Sequence, residues 1–176
     1  MKIKKLTMTA VFSALCAICA WINIPFIVPF TMQTFAVFLA CLILGGGNAS
    51  ISLVVYILLG AVGLPVFSGF KAGLGVLLGA TGGYIVGFPV LCLVYALIVR
   101  LMKSSSYSKP IGLTAGLAVL YLFGTVWFVL GYTGGGTMTF AAAAMKCVVP
   151  FIIPDLLKML LALFVSKRVV KAIGTI

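Results

Sequence analysis

The chain has 176 residues, of which 64% are hydrophobic and 7% are charged, and its mean hydropathy is +1.37. Soluble domains carry about 25% charged residues, so this composition excludes a water-soluble globular protein. It predicts one integral membrane domain over residues 1–176. The net charge of +11 reflects 12 Lys and Arg residues against a single acidic residue. These cations form no aromatic-interleaved basic patch, and we expect no nucleic-acid partner.

Six apolar stretches predict an all-α membrane protein with six transmembrane helices. In chain order they cover residues 5–23, 32–45, 49–63, 82–102, 110–131 and 154–171. Nine Lys and Arg residues lie at the start of the first stretch, around the linker between the fourth and fifth, and at the end of the last. Because cytoplasmic loops collect Lys and Arg, both termini are predicted to be cytoplasmic. We expect a multi-pass protein of the cytoplasmic membrane, surrounded by the lipid bilayer.

Three connectors then lie on the outer side, at residues 23–35, 63–84 and 131–154. Pro25 and Pro29 prevent a regular helix in the first, and the second holds seven glycines. The third is predicted to form a short helix across its alanines and to break at Pro150 and Pro154. Irregular backbone at membrane depth is tolerated where it is buried in protein or lines a cavity. The connectors therefore predict an outer pocket, with packed turns that bind nothing as the alternative.

The sequence offers little for catalysis or for metal binding. It contains no histidine, no second carboxylate and no phosphate-binding loop, so the usual acid–base and nucleophilic arrangements cannot be built. The Cys16-x-x-Cys19 motif has no second pair to complete a metal site, and cysteine within apolar stretches behaves as a small hydrophobe. We expect a protein that is not an enzyme and that carries no metal or cofactor.

The one acidic residue, Asp155, stands in the apolar sequence IPDLLKMLLALF together with Lys158. Pro154 suits the first position of a helix, which would put Asp155 in the first turn, where the helix dipole favours a carboxylate. Three residues apart, both side chains project from nearly the same face. They could pair with each other as a structural bridge, although such a pair leaves ammonium hydrogens unsatisfied. The functional alternative is a site for a polar ligand with N–H donors beside a carbonyl.

Four segments resemble the BioY family, the substrate-binding S components of energy-coupling-factor (ECF) biotin transporters. They are PFTMQTFAVFLACLILGG (29–46), YILLGAVGLPVFSG (56–69), GLGVLLGATGGYIVGFP (73–89) and IPDLLK (153–158). The resemblance extends over nearly the whole chain, with these segments in the family's order. The resemblance implies the six-helix S-component fold, capture of biotin from outside, and association with a membrane coupling subunit (EcfT type) and two cytoplasmic ATPases.

The same resemblance implies roles for particular residues. Asp155 and Lys158 match the acid and the lysine that hold the ureido ring of biotin. The apolar thiophane ring would suit Trp127, Tyr84 or Phe67. Further expected contacts are the backbone N–H groups around Thr81, Gly82 and Gly83 for the biotin carboxylate, long-range attraction from Lys71, and a polar contact from Gln33.

The first stretch contains a small-xxx-small pair, Ala10 and Ala14, and Ala17 is expected to continue that face. Small residues let helices approach closely. The resemblance implies contact with the coupling subunit here, and internal packing is the alternative.

Two departures from the family pattern stand in the chain. Pro154 replaces a usual glycine before Asp155, and Ala80 replaces a usual proline. Neither removes a chemical group that biotin binding needs. An S component or permease for another vitamin, and a structural subunit with a buried ion pair, remain as alternatives. A channel is disfavoured because one acid and one lysine make no polar stripe across the membrane.

Overall fold

The computed structural model describes residues 2–25, 28–103, 105, 107–132 and 139–173. Its main elements are eight α-helices and two short strands. The helices are α1 (Lys2–Trp21), α2 (Gln33–Leu44), α3 (Gly46–Ala61), α4 (Leu74–Leu77), α5 (Gly82–Leu101), α6 (Ser108–Trp127), α7 (Phe140–Cys147) and α8 (Val149–Ile173). The strands are β1 (Asn23–Ile24) and β2 (Phe30–Thr31). The predicted all-α class is confirmed, and a helix lies at each of the six predicted stretches.

Within the described residues, four helical segments are long and apolar enough to cross a membrane: Ile3–Trp21, Gly82–Leu101, Ser108–Gly131 and Val149–Ala172. They make the chain a multi-pass membrane protein. The apolar helices α2 and α3 are shorter, with 12 and 16 residues. Gly45, with φ +74°, separates these two helices.

The predicted connectors are folded segments rather than open loops. β1 and β2 pair antiparallel, with Asn23 opposite Thr31 and Ile24 opposite Phe30. The segment 62–81, here called the α3–α5 connector, contains a 3₁₀ turn at Ser68–Phe70 and the single turn α4. The predicted short helix across the alanines is α7, while residues 133–138 of the same connector lie outside the described residues.

Cross-helix contacts establish which helix ends lie together. α1 packs on α2 and α3, α2 packs on α8, α3 on α5, and α5 along α6. Hydrogen bonds join Thr34 near the start of α2 and Tyr121 near the end of α6 to Asp155 in the early part of α8. The start of α5 joins the same group, because Tyr84 pairs with Thr125 of α6. The basic ends of α1, α5, α6 and α8 therefore lie at the opposite end of the bundle.

The predicted start of the last helix is wrong. α8 begins at Val149, five residues before Pro154, so Pro154 lies inside the helix and Asp155 lies in the second turn. Pro150 occupies the first turn, where a missing N–H costs no intrahelical bond. Prolines inside membrane helices are tolerated because neighbouring groups compensate the lost bond. The helix dipole at the first turn therefore does not explain the position of Asp155.

The small-residue face of α1 is shorter than expected. Ala10 and Ala14 are exposed, but Ala17 is buried, and Ile18 takes the exposed position with half of its surface accessible. An α-helix has 3.6 residues per turn, so the next residue on the face of Ala10 and Ala14 is Ile18. Internal packing accounts for Ala17.

Two adjacent glycines at the start of α3 provide a matched test of helix packing. A Cβ added at Gly46 would collide with the Cys92 carbonyl oxygen and with Ala96 of α5, whereas one added at Gly47 would meet nothing within 4 Å. We expect Gly46→Ala to lower the free energy of unfolding by about 1–3 kcal/mol through overpacking. Gly47→Ala should be neutral or slightly stabilising, because alanine favours a helix over glycine.

Thermal unfolding of the two purified variants in the same detergent measures this difference. The apparent melting temperature of Gly46→Ala should fall by several degrees and that of Gly47→Ala should not. Equal effects would contradict the close packing of α3 on α5.

Candidate functional site

A cavity of about 390 Å³ lies where these helix ends and the connectors meet. Its lining comes from the segment before α2, the starts of α2, α5 and α8, the end of α6, α7 and the α3–α5 connector. Predicted site residues on its wall are Gln33, Thr81, Tyr84, Asp155 and Lys158, and Lys71 lines it as well. Chain segments more than 100 residues apart thus form one chamber.

The charged pair forms the polar end of the cavity. Lys158 Nζ lies 2.9 Å from Asp155 Oδ1, and the two residues are only 8% and 2% exposed. The Thr34 hydroxyl donates to the same carboxylate oxygen at 2.8 Å, and the Tyr121 hydroxyl donates to Oδ2 at 2.7 Å. Three side chains, from α2, α6 and α8, therefore donate to this one carboxylate.

Lys158 is fully paired as well. Its ammonium donates to the Thr31 carbonyl at 2.6 Å, to the Thr34 hydroxyl at 3.2 Å and to Asp155 Oδ1. It also lies 5.1 Å from the centroid of the Phe30 ring, within the range of a cation–π contact. The expectation that the pair would leave ammonium hydrogens unsatisfied is therefore wrong, because Thr31 and Thr34, from other elements, accept the hydrogens that Asp155 does not.

The Asp155 carboxylate can still accept a hydrogen bond from a ligand. A carboxylate offers about four lone-pair sites, and the described contacts to Asp155 occupy three: Lys158 and Thr34 on Oδ1, and Tyr121 on Oδ2. The remaining position belongs to Oδ2, on a residue that borders the cavity. A ligand N–H could bind there without breaking the protein's own hydrogen bonds.

Apolar and aromatic side chains form most of the remaining wall. The larger ones are Val28, Val76, Tyr84, Ile85, Phe88, Leu120, Tyr121 and Phe151. Phe151 stacks on Phe30, with ring centroids 4.7 Å apart. Cys147 also lines the cavity, and burial raises the pKa of its thiol, an effect that Lys146 partly offsets. The Cys147 thiol therefore adds no charge to this wall at neutral pH.

Two predicted aromatic contacts are not among the described residues that line the cavity. Phe67 is fully buried, and its ring fills the place where a Cβ on Gly60 would stand. Trp127 packs against Gly83, and its indole N–H donates to the Gly79 carbonyl at 3.3 Å. Both rings therefore serve packing of the connector and of α5 on α6.

The glycines expected to bind a carboxylate also have packing roles. The Gly82 N–H donates to the Gly79 carbonyl at 3.1 Å. A Cβ at Gly82 would collide with the Leu77 carbonyl, and one at Gly83 with the Trp127 side chain. Gly82 and Gly83 are not on the described cavity wall, whereas Thr81 is. The nearby groups that could meet an anion are the side chains of Lys71, Ser68 and Thr81.

Sequence reasoning missed Thr31, Thr34 and Tyr121, which complete the hydrogen bonds of the charged pair. Thr34 follows Gln33, which was an expected contact, but nothing in the apolar sequence around Thr34 indicates that its hydroxyl binds Asp155. Tyr121 lies six residues before Trp127, which was the expected ligand contact on the same helix. One feature of the sequence could have indicated these partners: an isolated carboxylate within a membrane helix requires hydrogen-bond donors from other helices.

The helices and the cavity define a multi-pass membrane protein with a chamber between its helix ends. Its fold is that of the S components of ECF-type ABC transporters. A crystal structure of the S component for biotin from such a transporter superposes with a TM-score of 0.84, covering 97% of this chain and 92% of that one, at 24% sequence identity.

The chain belongs to the BioY family, whose model matches residues 1–175. It is 38% identical to the biotin transporter BioY of Thermotoga maritima, with 96% of each chain covered. It is 37% identical to the probable biotin transporter BioY of Pyrococcus horikoshii, with 96% of this chain and 97% of the relative covered. The resemblance stated from the sequence is confirmed at the level of the family.

Proposed function

We propose that this protein is the biotin-binding S component of an ECF-type vitamin uptake transporter. The observation that carries the proposal is the buried Asp155–Lys158 pair on the wall of an otherwise largely apolar cavity, in a chain of the BioY family. Its relatives from Thermotoga maritima and Pyrococcus horikoshii bear the names biotin transporter and probable biotin transporter. The protein itself is a binding and transport component rather than an enzyme.

The ureido ring of biotin fits the polar end of the cavity. It carries two N–H donors and one carbonyl acceptor. One N–H would donate to Asp155 Oδ2, and the ureido carbonyl would accept from Lys158 in exchange for one of its present contacts. Charge-assisted hydrogen bonds of this kind are roughly twice as strong as neutral ones. The apolar thiophane ring would lie among Tyr84, Phe88 and Phe151.

The biotin carboxylate would extend toward the α3–α5 connector. Lys71 is exposed there and lines the cavity together with Ser68 and Thr81. An ammonium beside two hydroxyl-bearing side chains offers charge and hydrogen bonds to a carboxylate. In this assignment Lys71 and Thr81 contact the biotin carboxylate directly, while Gly82 and Gly83 contribute to helix packing.

The proposed topology has six transmembrane helices, with α2 and α3 completing the four long ones, and both termini in the cytoplasm of a cytoplasmic membrane. The basic ends of α1, α5, α6 and α8 agree with the rule that cytoplasmic segments collect Lys and Arg. The exposed Ala10 and Ala14 would face a coupling subunit of the EcfT type. The chain would import biotin only with that subunit and two cytoplasmic ATPases.

Ligand competition tests the assignment of biotin. The purified protein, loaded with radiolabelled biotin, is challenged with unlabelled biotin, dethiobiotin, riboflavin or thiamine. Biotin should displace the label most effectively, followed by dethiobiotin, which keeps the ureido ring. Riboflavin and thiamine should displace nothing. Displacement by riboflavin or thiamine at lower concentrations than biotin would assign the cavity to another vitamin.

The Tyr121 hydroxyl is expected to contribute to affinity through Asp155. Tyr121→Phe removes the 2.7 Å hydrogen bond to Oδ2 but keeps the aromatic ring. This bond orients the carboxylate that would accept the ureido N–H, and a poorly aligned hydrogen bond to a charged group forfeits part of its roughly 1.5–3 kcal/mol. The dissociation constant for biotin should therefore rise by up to roughly 10-fold. Equilibrium titration of the variant with biotin measures this change.

Tyr84→Phe is the matched control, because Tyr84 also lines the cavity but its hydroxyl pairs with Thr125 at 3.3 Å. Its effect on affinity should be clearly smaller. If Tyr84→Phe weakened biotin binding as much as Tyr121→Phe, the special role of the Asp155 carboxylate would be contradicted.

A further inference from the structure

A series of hydrogen bonds, joined through the backbone and side chain of Thr31, leads from the charged pair to the α3–α5 connector. Lys158 donates to the carbonyl of Thr31, and the Thr31 hydroxyl donates to Gln33 Oε1 at 3.1 Å. Gln33 Nε2 donates to the Tyr56 hydroxyl at 2.8 Å, and that hydroxyl donates to the Val66 carbonyl at 3.1 Å. Each link uses a group of the correct donor or acceptor type, so the chain fixes the Gln33 amide.

Tyr56 is the link between the cavity wall and the connector. Its side chain is fully buried, and it is not among the described residues that line the cavity. Its ring and the Phe67 ring form a T-shaped pair, with centroids 5.6 Å apart and planes at 85°. The nearby Gly73 N–H donates to the Gly60 carbonyl at 2.8 Å. The outer part of α3 therefore holds the connector at Val66, Phe67 and Gly73.

The connector forms a large part of the chamber. Of the residues that line the cavity, it contributes Ser68, Lys71, Gly75, Val76, Gly79, Ala80 and Thr81. On its other side, Trp21 of α1 donates to the Pro65 carbonyl at 2.9 Å and stacks on Phe70 at 4.9 Å. The position of this segment therefore determines whether that part of the wall closes on a ligand.

We propose that Tyr56 is a positioning residue that holds the α3–α5 connector against the cavity and thereby slows ligand release. The inference rests on the proposed function, because it takes biotin as the occupant of the cavity. Tyr56 acts through Gln33, which borders the ligand, and through Val66, which anchors the connector. Its hydroxyl both accepts and donates in this position, and phenylalanine can do neither.

The test is the rate at which bound biotin leaves the full-length protein. Wild type and Tyr56→Phe, purified in the same detergent, are loaded with radiolabelled biotin and chased with excess unlabelled biotin. We expect the dissociation rate constant to rise about tenfold in Tyr56→Phe, the effect of losing about one buried hydrogen bond. The association rate constant should change little. Tyr95→Phe is the control, since Tyr95 is also buried but lies outside the described cavity wall.

A second variant keeps the test decisive if Tyr56→Phe folds poorly. Gln33→Met removes the preceding link of the chain, and it too should speed biotin release. In the double variant the two effects on the dissociation rate should be less than multiplicative, because both residues act in one chain.

An unchanged dissociation rate in both single variants would overturn the proposal while leaving biotin binding intact. An equal increase in Tyr95→Phe would also overturn it, because general loosening of the bundle would then explain the result. A folded wild type that retains no biotin would instead overturn the proposed function, and this inference with it.

Discussion

Asp155→Asn should lower the affinity for biotin by about 100-fold or more. The substitution keeps the size of the side chain but removes the charge that accepts hydrogen bonds from Lys158, Thr34 and Tyr121. Its amide also presents N–H donors toward a ligand whose own groups here are N–H donors. Hydrogen bonds to charged groups contribute about 1.5–3 kcal/mol each, and the substitution disturbs the two that the ureido ring would make, to Asp155 and to Lys158, which corresponds to about 100-fold or more. Equilibrium titration with biotin measures it.

Loss of binding must be separated from loss of folding in this variant. Removing one partner leaves Lys158 with the Thr31 carbonyl and the Thr34 hydroxyl but without its counter-ion. Gel filtration and thermal unfolding without biotin show how much folded protein is present, and affinity is then measured on that fraction. A folded Asp155→Asn protein with wild-type affinity would contradict the placement of the ureido ring.

Lys158→Met should have the largest effect on stability, and pairing it with Asp155→Asn should reverse most of that effect. The single variant leaves Asp155 as a buried carboxylate without a cation, which costs about 3–5 kcal/mol. The double variant removes both charges, and replacing a buried ion pair by neutral groups is often close to neutral for stability. Neither variant should bind biotin tightly, because each lacks a charged partner for the ureido ring.

Thermal unfolding and biotin titration of both single variants and the double variant form one cycle. A binding site predicts that the melting temperature recovers in the double variant while affinity does not. A purely structural ion pair predicts recovery of the melting temperature in the double variant, with biotin affinity of the folded fraction unaffected by any of the three changes.

The approximate positions of the helices could be predicted because a membrane-embedded helix requires a continuous apolar stretch, which the sequence shows directly. Gly45 and Pro25 interrupt apolar stretches, and the backbone preferences of glycine and proline predict that a helix ends near each of them. The start of α8 could not be predicted this way. Two prolines, Pro150 and Pro154, both fit a first turn, and only tertiary packing determines which one occupies it.

The charged pair of the site could be predicted because an acid and a lysine within an apolar helix require an explanation wherever they occur. The groups around it could not. Thr34 and Asp155 are 121 positions apart, and no local pattern joins them. The chain contains many aromatic residues, and apolar character alone does not distinguish Tyr121 and Phe151 from the expected contacts Phe67 and Trp127. The structure places both near glycines whose missing side chains make room for them.

The most direct test of the account is a titration of the detergent-purified, full-length chain with biotin, followed by intrinsic tryptophan fluorescence alongside Asp155→Asn. We predict tight, saturable binding by the wild type and loss of that binding in a variant that remains folded. Absence of binding by well-folded wild-type protein would contradict the assignment of this cavity to biotin.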